Sequence, residues 1–369
     1  MSHTYDCVIA TRNRINALRM SIPLILNQDM PPTRLIIVDA SDDHESIRTE
    51  ITDICNRLGF GNGFVVRADK PNSARQRNLG LQLVQAPVVM FPDDDSMWYA
   101  GFARSVMKVY QSDARGLVGG VGGVGVIAPP PELGRPAYRR SKFGTIKQAV
   151  QPYRTYIEQR AFPRPFDLIG ASTWAGKIDA IDNIKSKRLP HLTGFRMSFR
   201  THAVRPIGFD ETLGYGAGYS YHEDIDISLR LQREGYALVS SEDAKVCHLS
   251  FPGKRGDDYG SGFCVIANCV YVCKKAMNVD QKLLNVQKIT NVIERYLKYK
   301  LSLYASRFHT KHGRLALYGA FDAWRNRSKL LNADEDSLSD AYKNLCDQFL
   351  PGTETGITPH PQEESLRAA

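Results

Sequence analysis

Val88-Val89-Met90-Phe91-Pro92-Asp93-Asp94-Asp95 is an apolar run that ends in three consecutive aspartates. Its first four residues have the length and β-branched content of a buried strand. Three adjacent carboxylates repel one another unless something cationic lies among them. Hard divalent cations take oxygen ligands of this kind and often share them with substrate phosphates. The stretch reads as a strand whose end holds a metal serving a phosphorylated substrate. The competing reading is a solvated acidic turn at a helix N-terminus, where aspartates suit the dipole.

Working outward, residues 7–10, 35–38 and 64–66 are further short apolar strands, and 15–26, 47–58 and 75–84 have helical spacing between them. Strands alternating with helices of this length imply βαβ units and a mainly parallel sheet. Ligands of such sheets collect beyond the carboxyl ends of the strands, so Thr11, Asp39 and Asp93 are expected to converge. Gly120-Val121-Gly122-Gly123-Val124-Gly125 matches GxGxxG, but Pro129, Pro130 and Pro131 follow where a helix would have to open. It reads as a glycine-rich strand. Residues 129–190 are proline-rich and basic, as expected of an irregular insertion over one face of the sheet.

The chain has 369 residues, 43% of them hydrophobic, enough for a substantial core. Lys and Arg number 48 against 39 Asp and Glu, a net charge of +9, which suits an anionic partner. No recognisable nucleic-acid module accompanies the charge, so no nucleic-acid partner is expected. No apolar run approaches the roughly 18 residues that span a bilayer, and the polar opening at Met1-Ser2-His3 shows no signal peptide, so a cytoplasmic location is expected. Seven cysteines without zinc-type spacing fit a reduced chain, with Cys264, Cys269 and Cys273 as packing residues. Residues 282–304 and 314–330 form amphipathic, basic stretches with interleaved tyrosines and Trp324. They read either as solvated helix faces or as a peripheral contact with an anionic membrane. Residues 351–369 read as a disordered tail.

Several segments together resemble family-2 glycosyltransferases of the GT-A fold. Cys7-Val8-Ile9-Ala10-Thr11-Arg12-Asn13-Arg14 is similar to the opening strand and turn VIPTYNR, with Ala10 and Arg12 departing from it. Ile36-Ile37-Val38-Asp39-Ala40-Ser41-Asp42-Asp43 resembles VDDGSxD, one residue short. Asn72-Ser73-Ala74-Arg75-Gln76-Arg77-Asn78-Leu79-Gly80-Leu81 is similar to GxxxARNxGL, and Val89–Asp95 to FLDxDD. Residues 192–200 with 207–211 resemble GxNMSFRR…GGFDE, and His222-Glu223-Asp224-Ile225-Asp226-Ile227-Ser228-Leu229-Arg230-Leu231 resembles GEDxDLxxRL.

The resemblance implies an α/β GT-A (Rossmann-like) fold: a mixed, mainly parallel sheet flanked by helices, with a C-terminal helical extension. The domain would cover residues 1–270, with a nucleotide-binding half at 1–128 and an insertion and acceptor half at 129–270, followed by a basic helical extension at 271–350. It implies an inverting, metal-dependent transfer of one sugar from a nucleotide-sugar donor, UDP- or dTDP-linked by preference, to a hydroxyl acceptor. The acceptor expected is a glycan or lipid-linked acceptor of bacterial envelope polysaccharide or glycolipid assembly. Asp93, Asp95 and His248 would hold Mn2+ or Mg2+. Thr11, Arg14, Asp39, Arg77, Asp93 and Asp94 would bind the nucleotide-sugar, Asp224 would be the general base and Glu223 its acceptor-orienting partner, with Trp174 and Arg196 toward the acceptor. The alternative function is a non-catalytic nucleotide-sugar or glycan-binding protein.

Overall fold

The computed structural model describes residues 4–134, 163–174, 186–216, 220–249, 251, 258–279 and 284–350, without the side chains of Thr173 and Trp174. Most of the insertion and the whole 351–369 tail lie outside the described residues, as does the side chain of Trp174. Two compact units divide the chain. The first takes Met1–Pro71, Arg75–Phe209 and Asp224–Gly253; the second takes Asn72–Ala74, Asp210–Glu223 and Lys254–Ala369.

In the first unit the order is β1 (Tyr5–Thr11), α1 (Ile15–Leu26), β2 (Arg34–Asp39), α2 (His44–Arg57), β3 (Gly63–Arg67), α3 (Ser73–Leu83), β4 (Val88–Phe91), β5 (Ser96–Trp98), α4 (Phe102–Ser112), β6 (Val118–Val126), α5 (Pro165–Trp174), β7 (Met197–Arg200), α6 (Thr201–Val204), α7 (Glu223–Arg233) and β8 (Ala237–His248). The strands form one sheet in the order β3-β2-β1-β4-β7-β6-β8-β5. β1, β2, β3 and β4 run parallel, β6 pairs parallel with β8, and β7 enters antiparallel between β4 and β6. This is the α/β architecture the strand–helix alternation predicts. Antiparallel β5 is too short, at three residues, to carry a period of its own.

β4 is buried along its whole length and β1 nearly so, as expected of strands covered on both faces. Tyr5, Ile9, Leu18, Ile22, Leu35, Ile37, Met90 and Trp98 share one core, each fully burying a side chain that contributes about 1.5–3 kcal/mol. The register sets the site. Thr11 lies opposite Asp39 at the ends of β1 and β2, and the β1–β4 pairing carries the aspartates out beside Thr11.

β6 is a strand, as its proline-blocked flank predicts. A Cβ at Gly120 would come 2.8 Å from both Leu192 and Leu238, and one at Gly123 would come 2.8 Å from the Ala244 carbonyl oxygen. The glycines are there because neighbouring side chains cross the strand.

The second unit holds α8 (Asp258–Val279), α9 (Val286–Ala305), α10 (Lys311–Leu331) and α11 (Leu338–Phe349). α8 runs unbroken through residue 270, where the sequence reading set its boundary, because its apolar face continues from Phe263 to Met277. Gly262 and Gly319 bring α8 and α10 together: a Cβ on Gly262 would strike the Ala316 carbonyl oxygen, and one on Gly319 that of Tyr259. Asn268, buried in α8, donates to the carbonyls of Leu213 (3.0 Å) and Tyr221 (2.8 Å) and accepts from the Tyr342 hydroxyl (2.5 Å). A buried amide so satisfied costs the core little. All seven cysteines are buried and none forms a disulfide. Among the described residues no helix is long and apolar enough to cross a membrane.

Candidate active site

The three aspartates leave β4 at Phe91 and turn toward β5. The turn is closed by Ser96, whose hydroxyl accepts from the Asp93 N–H (3.0 Å) and donates to the Phe195 carbonyl (2.8 Å). Two unit charges about 4 Å apart repel by roughly 4 kcal/mol near a protein surface, so the cluster requires cations, and the structure supplies three. Arg77 Nη2 lies 2.8 Å from Asp93 Oδ1. Arg14, expected to line the diphosphate, bridges Asp94 Oδ1 (2.7 Å) and Asp95 Oδ2 (2.6 Å). His248 Nε2, at the end of β8, lies 2.9 Å from Asp95 Oδ1 and 3.8 Å from Asp93 Oδ2.

The three carboxyls differ in environment. Asp94 is almost fully buried and accepts from the Thr11 hydroxyl (2.9 Å). Burial pushes its carboxyl up to about 7, against the pull of Arg14 and with the push of Asp95 and Asp93. Asp95 is also buried, which alone would raise it, but the hydrogen bond and charge of His248, the charge of Arg14 and the Phe251 N–H (2.8 Å) hold it below the usual carboxylate range. Asp93 is the most exposed of the three.

Asp93, Asp95 and His248 each offer one ligand atom, and these atoms lie within 4.8 Å of one another. Two carboxylate oxygens and one imidazole nitrogen suit a divalent ion such as Mn2+ or Mg2+, with imidazole favouring manganese. The residues fit the group. The His248 ring is stacked on Phe195 at 4.8 Å and 11°, which fixes its plane. β5 adds to this, since Ser96 pairs with His248 in the β5–β8 register.

Asp224, near the start of α7, accepts from the Gly194 N–H (2.8 Å) and its own neighbour's N–H at Ile225 (2.9 Å). An added Cβ on Gly194 would lie 3.6 Å from Arg77 Nη2 and 3.7 Å from Asp224 Oδ2. The Asp224 carboxylate and the Arg77 guanidinium that holds Asp93 thus both border the space beside Gly194. Ile225 and Leu229 are buried, as the helix period requires. Glu223, the first residue of α7, is buried as well.

Arg196 donates to the Gly123 carbonyl (3.1 Å) and lies 5.3 Å over the Phe195 ring. Burial, then Arg164, push its guanidinium below its ordinary value, and the charge of Asp224 acts the other way. Arg75, in contrast, forms a surface pair with Asp69 (2.6 Å).

Asp39 lies at the end of β2, fully buried. Its Oδ1 accepts from the N–H (3.0 Å) and hydroxyl of Ser41, and its Oδ2 meets His44 Nδ1 at 2.8 Å. His44 carries no motif of its own and was missed from sequence. Its only signal there is its place five residues after a strand-end aspartate. Gln76 was missed too: from α3 it donates to the carbonyls of both Thr11 and Val38 at 2.8 Å, tying the ends of β1 and β2. Asn13, at a φ of 54°, donates to Asp42 (2.9 Å) and joins the two loops beyond those strands.

Residues 6–162 match the family model described as Glycosyl transferase family 2. No curated protein matches the sequence. Among solved structures, S. aureus TarS 1-349 in complex with UDP-GlcNAc is similar at 13% identity and a TM-score of 0.52, over 94% of this chain and 91% of that one. The mannosyltransferase PcManGT from Pyrobaculum calidifontis, in complex with GDP-Man and Mn2+, is similar at 14% identity and a TM-score of 0.48, over 94% of this chain and 86% of that one. The likeness to TarS is one of fold, and the fold is GT-A.

Proposed function

We propose, from a chain whose residues 6–162 match the model of glycosyl transferase family 2, an inverting, metal-dependent transferase that moves one sugar from a nucleotide-sugar to a hydroxyl acceptor. The observation that carries this reading is the Asp93–Asp95–His248 cluster, whose Arg77 partner borders the same glycine, Gly194, that binds the Asp224 carboxylate.

Asp93, Asp95 and His248 would hold Mn2+ or Mg2+, which when bound offsets charge on the leaving diphosphate. Arg14 and Arg77 aim the carboxylates, and Thr11 orients Asp94 through its hydroxyl. Asp224 accepts the proton of the acceptor hydroxyl as its oxygen forms the new bond at the anomeric carbon and the diphosphate departs. One displacement of this kind inverts the centre. Asp224 is held in place by the backbone N–H groups of Gly194 and Ile225, the positioning a general base needs. Glu223, adjacent at the helix start, orients the acceptor, and Arg196 faces the same substrate. Asp39, set by His44 and Ser41, belongs to the nucleobase corner beside Thr11.

Uridine and thymidine donors are the first to screen, and the S. aureus structure with UDP-GlcNAc supports that order. A glycan or lipid-linked acceptor in bacterial envelope assembly, met at the cytoplasmic side of the membrane, completes the reading. Calorimetric titration of UDP, dTDP and GDP, each with and without Mn2+, tests the reading. Metal-dependent binding of one nucleotide is expected. No binding by any of them would move the chain to the non-catalytic class.

A further inference from the structure

The hairpin of α9 and α10 concentrates the charge of the chain. Residues 286–331 contain ten Lys and Arg against two acidic residues, nearly the whole net charge of the protein. Both acids are taken: Glu294 pairs with Arg327, and Asp322 accepts from the Tyr259 hydroxyl (2.7 Å). From Arg295 to Phe321 there is no acidic residue at all, while Arg295, Lys298, Lys300, Arg307, Lys311 and Arg314 follow one another.

The same hairpin exposes apolar surface. Phe308, in the turn between the helices, is 47% exposed, Phe321 is 43% and Val286 is 41%, half of the large exposed hydrophobics among the described residues. The outward stripe of α10 is ordered by the helix period. Lys311, Arg314, Tyr318, Phe321 and Arg325 recur at three- and four-residue steps, opposite the buried Gly319, Ala320 and Ala323. Phe308 packs edge-on to Tyr318 at 6.5 Å, and Arg325 lies 5.8 Å over Phe321. A solvated helix face has no use for exposed phenylalanines between arginines. A charged headgroup layer above hydrocarbon does, because cations meet lipid phosphate while rings enter the acyl boundary.

We propose that this hairpin is a docking face for an anionic phospholipid surface, with Phe308 and Phe321 as the inserting residues and Lys311, Arg314 and Arg325 as the phosphate contacts. It forms no part of the carboxylate site.

Co-sedimentation of the full chain with vesicles of phosphatidylcholine alone, or with one third phosphatidylglycerol, tests it. Binding to the anionic vesicles is expected to be at least about tenfold stronger and to weaken with salt. Phe308→Ser with Phe321→Ser, and separately Arg314→Glu with Arg325→Glu, should each lower it about tenfold. Arg48→Glu with Arg57→Glu, a charge change of equal size on the exposed face of α2, should leave it unchanged. Thermal melts of each variant confirm that the chain is folded. Equal binding to the two vesicle types, binding unaffected by both double variants, or oligonucleotide binding that anionic vesicles do not displace would overturn the proposal.

Discussion

His248 Nε2 lies 2.9 Å from Oδ1 of Asp95, although the two residues are 248 − 95 = 153 positions apart in the sequence. β5 and β8 make the meeting, and the imidazole offsets a carboxylate that has no exposed surface. With Arg14 on the other oxygen, Asp95 is fixed from both sides before any substrate arrives.

Asp95→Asn keeps the shape of this side chain and removes its charge. Metal-dependent nucleotide binding should fall by a hundredfold or more, about 2.7 kcal/mol, while nucleotide binding without metal changes little. Calorimetry with and without Mn2+ separates the two. Retained Mn2+-dependent affinity would remove Asp95 from the ligand set.

Asp224→Asn should leave donor affinity near that of the parent and lower transfer by about 10²–10⁴, the range of a positioned general base. Isotope-labelled sugar transfer, measured beside donor binding, gives both quantities. A near-normal rate would assign the base elsewhere.

Acid should loosen the helical unit through Asp210. Burial would raise this carboxyl, but Lys275, 2.6 Å away, and the Thr212 N–H hold it down to about 2. A folded value below the unfolded one contributes stability that is present above the unfolded range and lost as pH falls from about 4 through about 2. In urea melts over that window, Asp210→Asn should show a flatter loss than the parent, by up to about 2 kcal/mol. Parallel pH curves would mean the pair contributes nothing.

Gly80 is where α3 rests on the sheet. An added Cβ would strike Val8 and come 3.2 Å from Val38, whereas one on Gly61 meets nothing within 4 Å. Gly80→Ala should therefore cost about 1–3 kcal/mol by overpacking, and Gly61→Ala less than about 0.5 kcal/mol. Thermal unfolding of the two variants side by side reads the difference.

The parts of the fold written in the sequence were those with a period of their own. β1, β2 and β4 are apolar runs with helices of regular spacing between them, and the flanking prolines marked β6 as a strand. The convergence followed because strand ends of a parallel sheet come together: Thr11 lies opposite Asp39, and the aspartates after β4 reach Thr11, whose hydroxyl donates to Asp94. What could not be read was set by contacts rather than pattern. β5 is three residues long, His44 is defined by the carboxylate it meets, and the bridge of Arg14 across two aspartates depends on how the first loop folds back. The placing of Arg77 and Asp224 on either side of Gly194 is likewise a packing fact with no signature in spacing.

Every sulfhydryl in this chain is hidden, three in the first unit (Cys7, Cys55 and Cys247) and four in the second (Cys264, Cys269, Cys273 and Cys346). The native protein therefore offers thiol-directed alkylating reagents and oxidants no exposed sulfhydryl, and thiol modification begins only when a region opens. Mass-resolved alkylation in native buffer becomes a pair of clocks, one for each unit, running on the same molecule without a label or a mutation.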